Sequence, residues 1–145
     1  MIEFSEIEID TEEKIEFMNV TKAVQEKVDE SGIRNGFAVV FTQHTTAAVK
    51  VHETETEADR ALIKDSLEFL ERIASSEGNY RHDKSNVDGR PNTHAHLKSL
   101  MLNSAEVIPL REGKLLLGTW QSLYFIEMDG PRRKRKIIVE IVGEK

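Results

Sequence analysis

The sequence contains no cysteine. That absence excludes disulfides, thiolate zinc sites and cysteine nucleophiles together, and leaves any metal to histidine and carboxylate ligands. Five histidines are available for such a role. A cysteine-free chain is compatible with a reducing cytoplasm, the compartment expected here. Long apolar runs are also missing: none approaches the ~20 residues of a membrane span, so no membrane partner is expected. The opening MIEFSEIEID lacks the basic start and apolar stretch of a secretory signal. Positive charge is in deficit, with 20 Lys and Arg against 26 Asp and Glu, a net charge of −6. Phosphate contacts demand positive surface, so general nucleic-acid binding is not expected. No repeat, linker or second domain interrupts the 145 residues, which read as one domain, 1–145, of ordinary size.

What is present is strongly patterned. Ile2, Phe4, Ile7 and Ile9 roughly alternate with acidic residues and predict a half-buried first strand, and 14–18 offers a short second one. Val20, Val24 and Val28 share a helical face, with Asn19 or Thr21 to cap it and Ser31-Gly32 to stop it. Residues 36–42 (GFAVVFT) have the pattern of a central strand; 47–52 (AAVKVH) alternates and is expected to pair with that preceding strand. Helical spacing of Ala61, Leu62, Leu67, Leu70 and Ile73 predicts the longest helix over 57–73. The polar segment 75–91 predicts a loop of ~15 residues, a length that in compact domains is often functional. Leu97, Leu100 and Met101 restore helical spacing over 94–103, with Asn92 or Thr93 as cap. Strands over 105–110, 115–127 and 136–142 follow, joined by hairpin turns at 111–114 and 129–131. This mixed order is that of an α+β domain, a mostly antiparallel sheet with about three helices.

The polar residues gather in a few segments. His44 closes the central strand, where a side chain can enter a cleft; an ordinary hydrogen-bonded strand end is an equally good reading. His82-Asp83 lies in the long loop and, taken alone, reads as a solvated dipeptide. His94 and His96 are two apart, ~200° around a helix, so one face cannot offer both to one ion. His96 shares a face with Leu100 and is taken as the inward ligand, with His94 supporting it from behind. Lys98 and Ser99 follow on the same helix, whose start attracts anions. Gly118-Thr119-Trp120-Gln121 holds the only tryptophan, by default a core residue. Glu127 shares strand parity with Gln121. The basic run 132–136 reads most simply as a solvated hairpin tip.

Four of these segments, QHTTA at 43–47, YRHD at 80–83, HAHLKS at 94–99 and GTWQ at 118–121, resemble the YjbQ family, whose members carry the name secondary thiamine-phosphate synthase enzyme. The resemblance spans essentially the whole chain. It implies a single compact YjbQ-like domain, a homotrimer, and a polar site near subunit boundaries. His44, His82 and His96 match the family's recurring histidines, His94 matches only some members, and Glu53, Asp59 and Asp65 fit an acidic stretch after the first motif. The resemblance then implies a metal-dependent enzyme acting on a phosphorylated small molecule, with thiamine phosphate formation as a secondary activity. His44, His82 and His96 would hold a divalent metal, zinc or similar. His94, Lys98, Ser99, Arg90, Trp120 and Thr45 would meet the substrate, and Glu127, Gln121 and Asp83 would serve catalysis. The same pocket also fits a hydrolase or lyase, or a non-enzymatic small-ligand-binding trimer with a structural metal.

Overall fold

The computed structural model describes residues 1–56 and 58–145. In chain order its elements are β1 (Ile2–Ile9), β2 (Glu16–Asn19), α1 (Thr21–Ser31), β3 (Asn35–Phe41), β4 (Ala47–Glu53), α2 (Ala61–Ile73), α3 (Thr93–Met101), β5 (Ala105–Arg111), β6 (Lys114–Leu115), β7 (Gln121–Glu127) and β8 (Arg135–Glu144). A single 3-10 turn, His82–Lys84, interrupts the long loop before α3. The expected start of α2 at Glu57 lies outside the described residues. The α+β class holds: three helices accompany a five-stranded sheet, β1-β8-β3-β5-β6, and a three-stranded sheet, β2-β7-β4. Every pairing is antiparallel. No helix among the described residues is long and apolar enough to cross a membrane.

The three-stranded sheet is covered on both sides. Leu123 and Phe125 of β7 meet Val40, Val139 and Ile141 across the space between the sheets, where Val24 and Val28 of α1 complete the core. Tyr124 and Ile126 point the other way, onto Ile63 and Leu70 of α2 and Ala95 of α3. This double burial is why β7 reads as a continuous apolar run rather than an alternation. The five-stranded sheet differs. Its register lines up Ile2, Val142, Phe37 and Pro109 across four strands, and Leu116 extends the row by donating its N–H to the Pro109 carbonyl. Phe4, Phe37 and Val107 stand exposed on this outer face.

Three connections differ from the sequence expectation. β4 pairs with β7, not with the preceding β3: residues 42–46 carry the chain from one sheet to the other. Residues 129–131 likewise join β7 to β8 in different sheets instead of closing a hairpin. The strand expected over 115–127 is broken at 116–120, where Gly118 donates its N–H to Gln121 Oε1 at 2.8 Å. The turn at 111–114 is a true hairpin, with Glu112 at φ 52° and Gly113 at φ 79°, the two positive values that a tight type I′ connection requires.

Candidate functional site

Both sheet-to-sheet crossings lie at the end of the sandwich where Ala47 pairs with Glu127. A buried ion pair holds them together. Arg135 donates from Nε to Glu127 Oε1 at 2.9 Å and from Nη2 to Glu127 Oε2 at 2.5 Å, and also reaches Thr46 Oγ1 at 2.9 Å. Thr11 donates to the same carboxylate at 2.9 Å. Glu127 is fully buried, with both oxygens engaged by a forked guanidinium. The carboxylate expected as acid or base is thus tied into a buried ion pair that anchors the two crossings. The basic run is likewise not a free tip: Arg132 also turns inward, donating to Asp129 Oδ2 at 2.7 Å.

α3 is built the opposite way from its expected pattern. Its buried residues are Thr93, His94, Ala95 and Lys98, while Leu100 is 78% and Met101 60% exposed. His96 does share a face with Leu100, but that face points outward, and His94 is the buried histidine. Lys98 is completely buried; its Nζ donates to His94 Nδ1 at 2.9 Å and to Glu71 Oε1 at 3.0 Å. The proton of neutral His94 then sits on Nε2, a buried atom without a hydrogen-bond partner among the described residues. Burial, and next the Lys98 charge, hold the His94 pKa below its ordinary value. Burial pulls the Glu71 carboxyl up, yet hydrogen bonds from Lys98 and Ser76 prevail and hold it at about 2.

The loop before α3 is fastened through its polar residues. Asp83 accepts hydrogen bonds from the Thr93 amide at 3.0 Å and the Thr93 hydroxyl at 2.6 Å, so it supplies the cap expected from Asn92 or Thr93. Those same bonds lower its pKa. Arg90 grips Asp129 through Nε and Nη2, and Asn92 donates to Asp129 at 2.9 Å. Asp83, Arg90, His94 and Lys98, expected to meet substrate or serve catalysis, are thus each engaged by hydrogen bonds within the chain.

Two clefts remain accessible. One, of about 520 Å³, includes His44, Thr45, His96, Ser99 and Leu100 in its lining; the other, of about 640 Å³, includes Tyr80, Arg81, His82 and Lys84. They meet where the His82 and His96 rings touch edge to face, centroids 5.0 Å apart. His44 accepts the Lys136 amide proton on Nε2 at 2.9 Å, which leaves Nδ1–H as its free donor. Its pKa is lowered by burial and then by the Arg135 charge. The expected metal triad does not fit one chain: among the described residues, no three His, Asp or Glu side chains gather to hold an ion.

Gln121 and Trp120 lie at the other end of β7, where Gln121 pairs with Glu53, ~20 Å along the strand from Glu127. Trp120 is 70% exposed there, and Asp59 caps the Ala61 amide at 3.2 Å. None of them reaches the histidine clefts. Sequence reasoning missed Glu71, Asp129 and Arg135, whose only signals were a charge inside an apolar helix pattern and inside two turn segments.

The family model described as UPF0047 protein YjbQ-like matches residues 5–144. A UPF0047 protein from Archaeoglobus fulgidus is 38% identical over 92% of this chain and 97% of its own. The Bacillus subtilis protein YugU is 33% identical over 94% and 97%. A crystal structure of a YbjQ-like protein of unknown function from Sulfolobus solfataricus superimposes with a TM-score of 0.90 at 38% identity, covering 99% of both chains. These relatives are named only as UPF0047 or of unknown function, without thiamine phosphate synthesis or a metal. Together with the locked Glu127 and the ungathered histidines, this overturns the expectation of a metal-dependent, thiamine-phosphate-forming enzyme.

Proposed function

We propose that this chain, which belongs to the UPF0047 YjbQ-like family, binds a small phosphate-bearing ligand across its two histidine clefts. One observation carries the reading. In a chain of net charge −6, no aspartate or glutamate among the described residues lines either cleft. Donors do: His44 Nδ1–H and Thr45 on one side of the His82–His96 contact, Arg81 and Lys84 on the other. Such a field favours an anion on encounter and in place.

The site is further proposed to lie between copies of the chain in a homotrimer. Two different apolar surfaces flank the first cleft: the outer sheet face that includes Phe41, and the exposed Leu97, Leu100 and Met101 of α3. A ring of identical subunits needs such a pair of unlike surfaces, each meeting the other. Titration calorimetry with inorganic phosphate and pyrophosphate, at low salt, tests the ligand. Saturable binding that His44→Ala and Arg81→Ala each weaken is expected; no heat from either anion overturns it. Sedimentation tests the assembly, with a trimer expected for the natural chain and monomer for Leu100→Asp.

A further inference from the structure

A separate cavity of about 150 Å³ opens between α2 and the helix side of the three-stranded sheet. Phe17, Phe69, Leu70, Leu102 and Ile126 form its walls. A dry apolar cavity of ~150 Å³ is large enough to take a benzene ring. Two nitrogen-bearing side chains edge it, Lys50 and His52, two residues apart on the same face of β4. Lys50 uses one of its three protons on Asn103 Oδ1, at 3.1 Å. The one hydroxyl on the wall, Ser66, donates to its own helix at Leu62 O at 2.8 Å. Among the described residues no carboxylate lines the cavity.

This combination selects against the ligand class of the histidine clefts. Sugar hydroxyls or a phosphate placed on such walls would lose water without gaining partners. A compact apolar body ending in one carboxylate satisfies both halves: its body meets the aromatic and aliphatic walls, its charge meets Lys50. We infer that this cavity binds a small monocarboxylate with an apolar body about the size of a benzene ring.

Benzoate is the probe, with benzyl alcohol as its uncharged counterpart, both titrated into the full chain and followed by calorimetry. Benzoate is expected to bind more tightly than benzyl alcohol. Lys50→Met is expected to weaken benzoate about tenfold, the worth of one charge-assisted hydrogen bond, and to leave benzyl alcohol unchanged. Ser66→Phe, which fills the cavity, is expected to abolish both. Saturating inorganic phosphate is expected to leave the benzoate titration unchanged, so failure at the histidine clefts and failure here are read separately. Equal affinity for acid and alcohol, benzoate bound undiminished by Lys50→Met, or no binding of benzoate to the natural chain each overturns the inference.

Discussion

The two helices on the side of the three-stranded sheet away from the larger sheet are held by opposite means. α2 buries Ile63 and Leu70, as an amphipathic helix does. α3 buries His94 and Lys98 and leaves Leu100 and Met101 in solvent. The first helix is fastened by area removed from water, the second by hydrogen bonds whose geometry must be met one by one. The difference teaches that an apolar stripe tells where burial occurs, but not whether the same chain provides the cover.

The largest effect is expected from the apolar helix. Leu70→Ala should cost about 3 kcal/mol, the usual toll of a large-to-small core substitution, measured by urea unfolding. Lys98→Met should cost less, about 2 kcal/mol: His94 Nδ1 loses its donor, whereas Glu71, which is 40% exposed, can turn to water. If Lys98→Met proves the costlier change, the polar side of α3 is the chief fastening of the helix layer.

Acid should then act through the polar helix. Both His94 and His44 have pKa values below 6.5 in the folded chain, so the unfolded chain takes up protons first as pH falls. Stability is full above about pH 6.5 and declines below it, down to the folded pKa values. Urea unfolding of His94→Gln should show a flatter decline over that window; an unchanged slope would remove His94 from the account. The smallest stability effect is expected from Leu100→Ser, within about 0.5 kcal/mol for a solvent-facing side chain. Its consequence should appear in sedimentation instead, as a weakened assembly.

Most of the scaffold was legible because strands and the first helix announce their period directly. Val24 and Val28 mark α1, and Gly32 ends it at φ 71°. The sheet partners were not legible. Residues 42–46 and 129–131 look like turns, and nothing local distinguishes a hairpin from a step between sheets. The histidine segments stand out in the sequence, but their geometry does not: His94 is the buried one and His96 the outer one, because Leu100 faces solvent and not the core. Glu127 sits on a plausible parity, and nothing in the sequence shows that it pairs with Arg135, a residue that looks like one of a solvated run. Buried ion pairs are set by tertiary contact, and single-residue patterns do not record them.

β8 lies between β1 and β3 in the larger sheet, yet it is the last strand in the chain. Until it arrives, the first strand has no hydrogen-bonded neighbour and β3 keeps an open edge. This sheet therefore cannot be completed strand by strand in sequence order; residues 135–144 must insert between two strands that precede them. Such long-range pairing is slow and keeps apolar edges exposed meanwhile. Its reward is a closed circuit: the Met1 amino group donates to the Gly143 carbonyl at 2.8 Å, which sets the start of β1 beside the end of β8. A rearranged chain in which β6 to β8 precede β1, opened at the Glu112-Gly113 turn, would place β8 next to β1 in sequence and shorten its search.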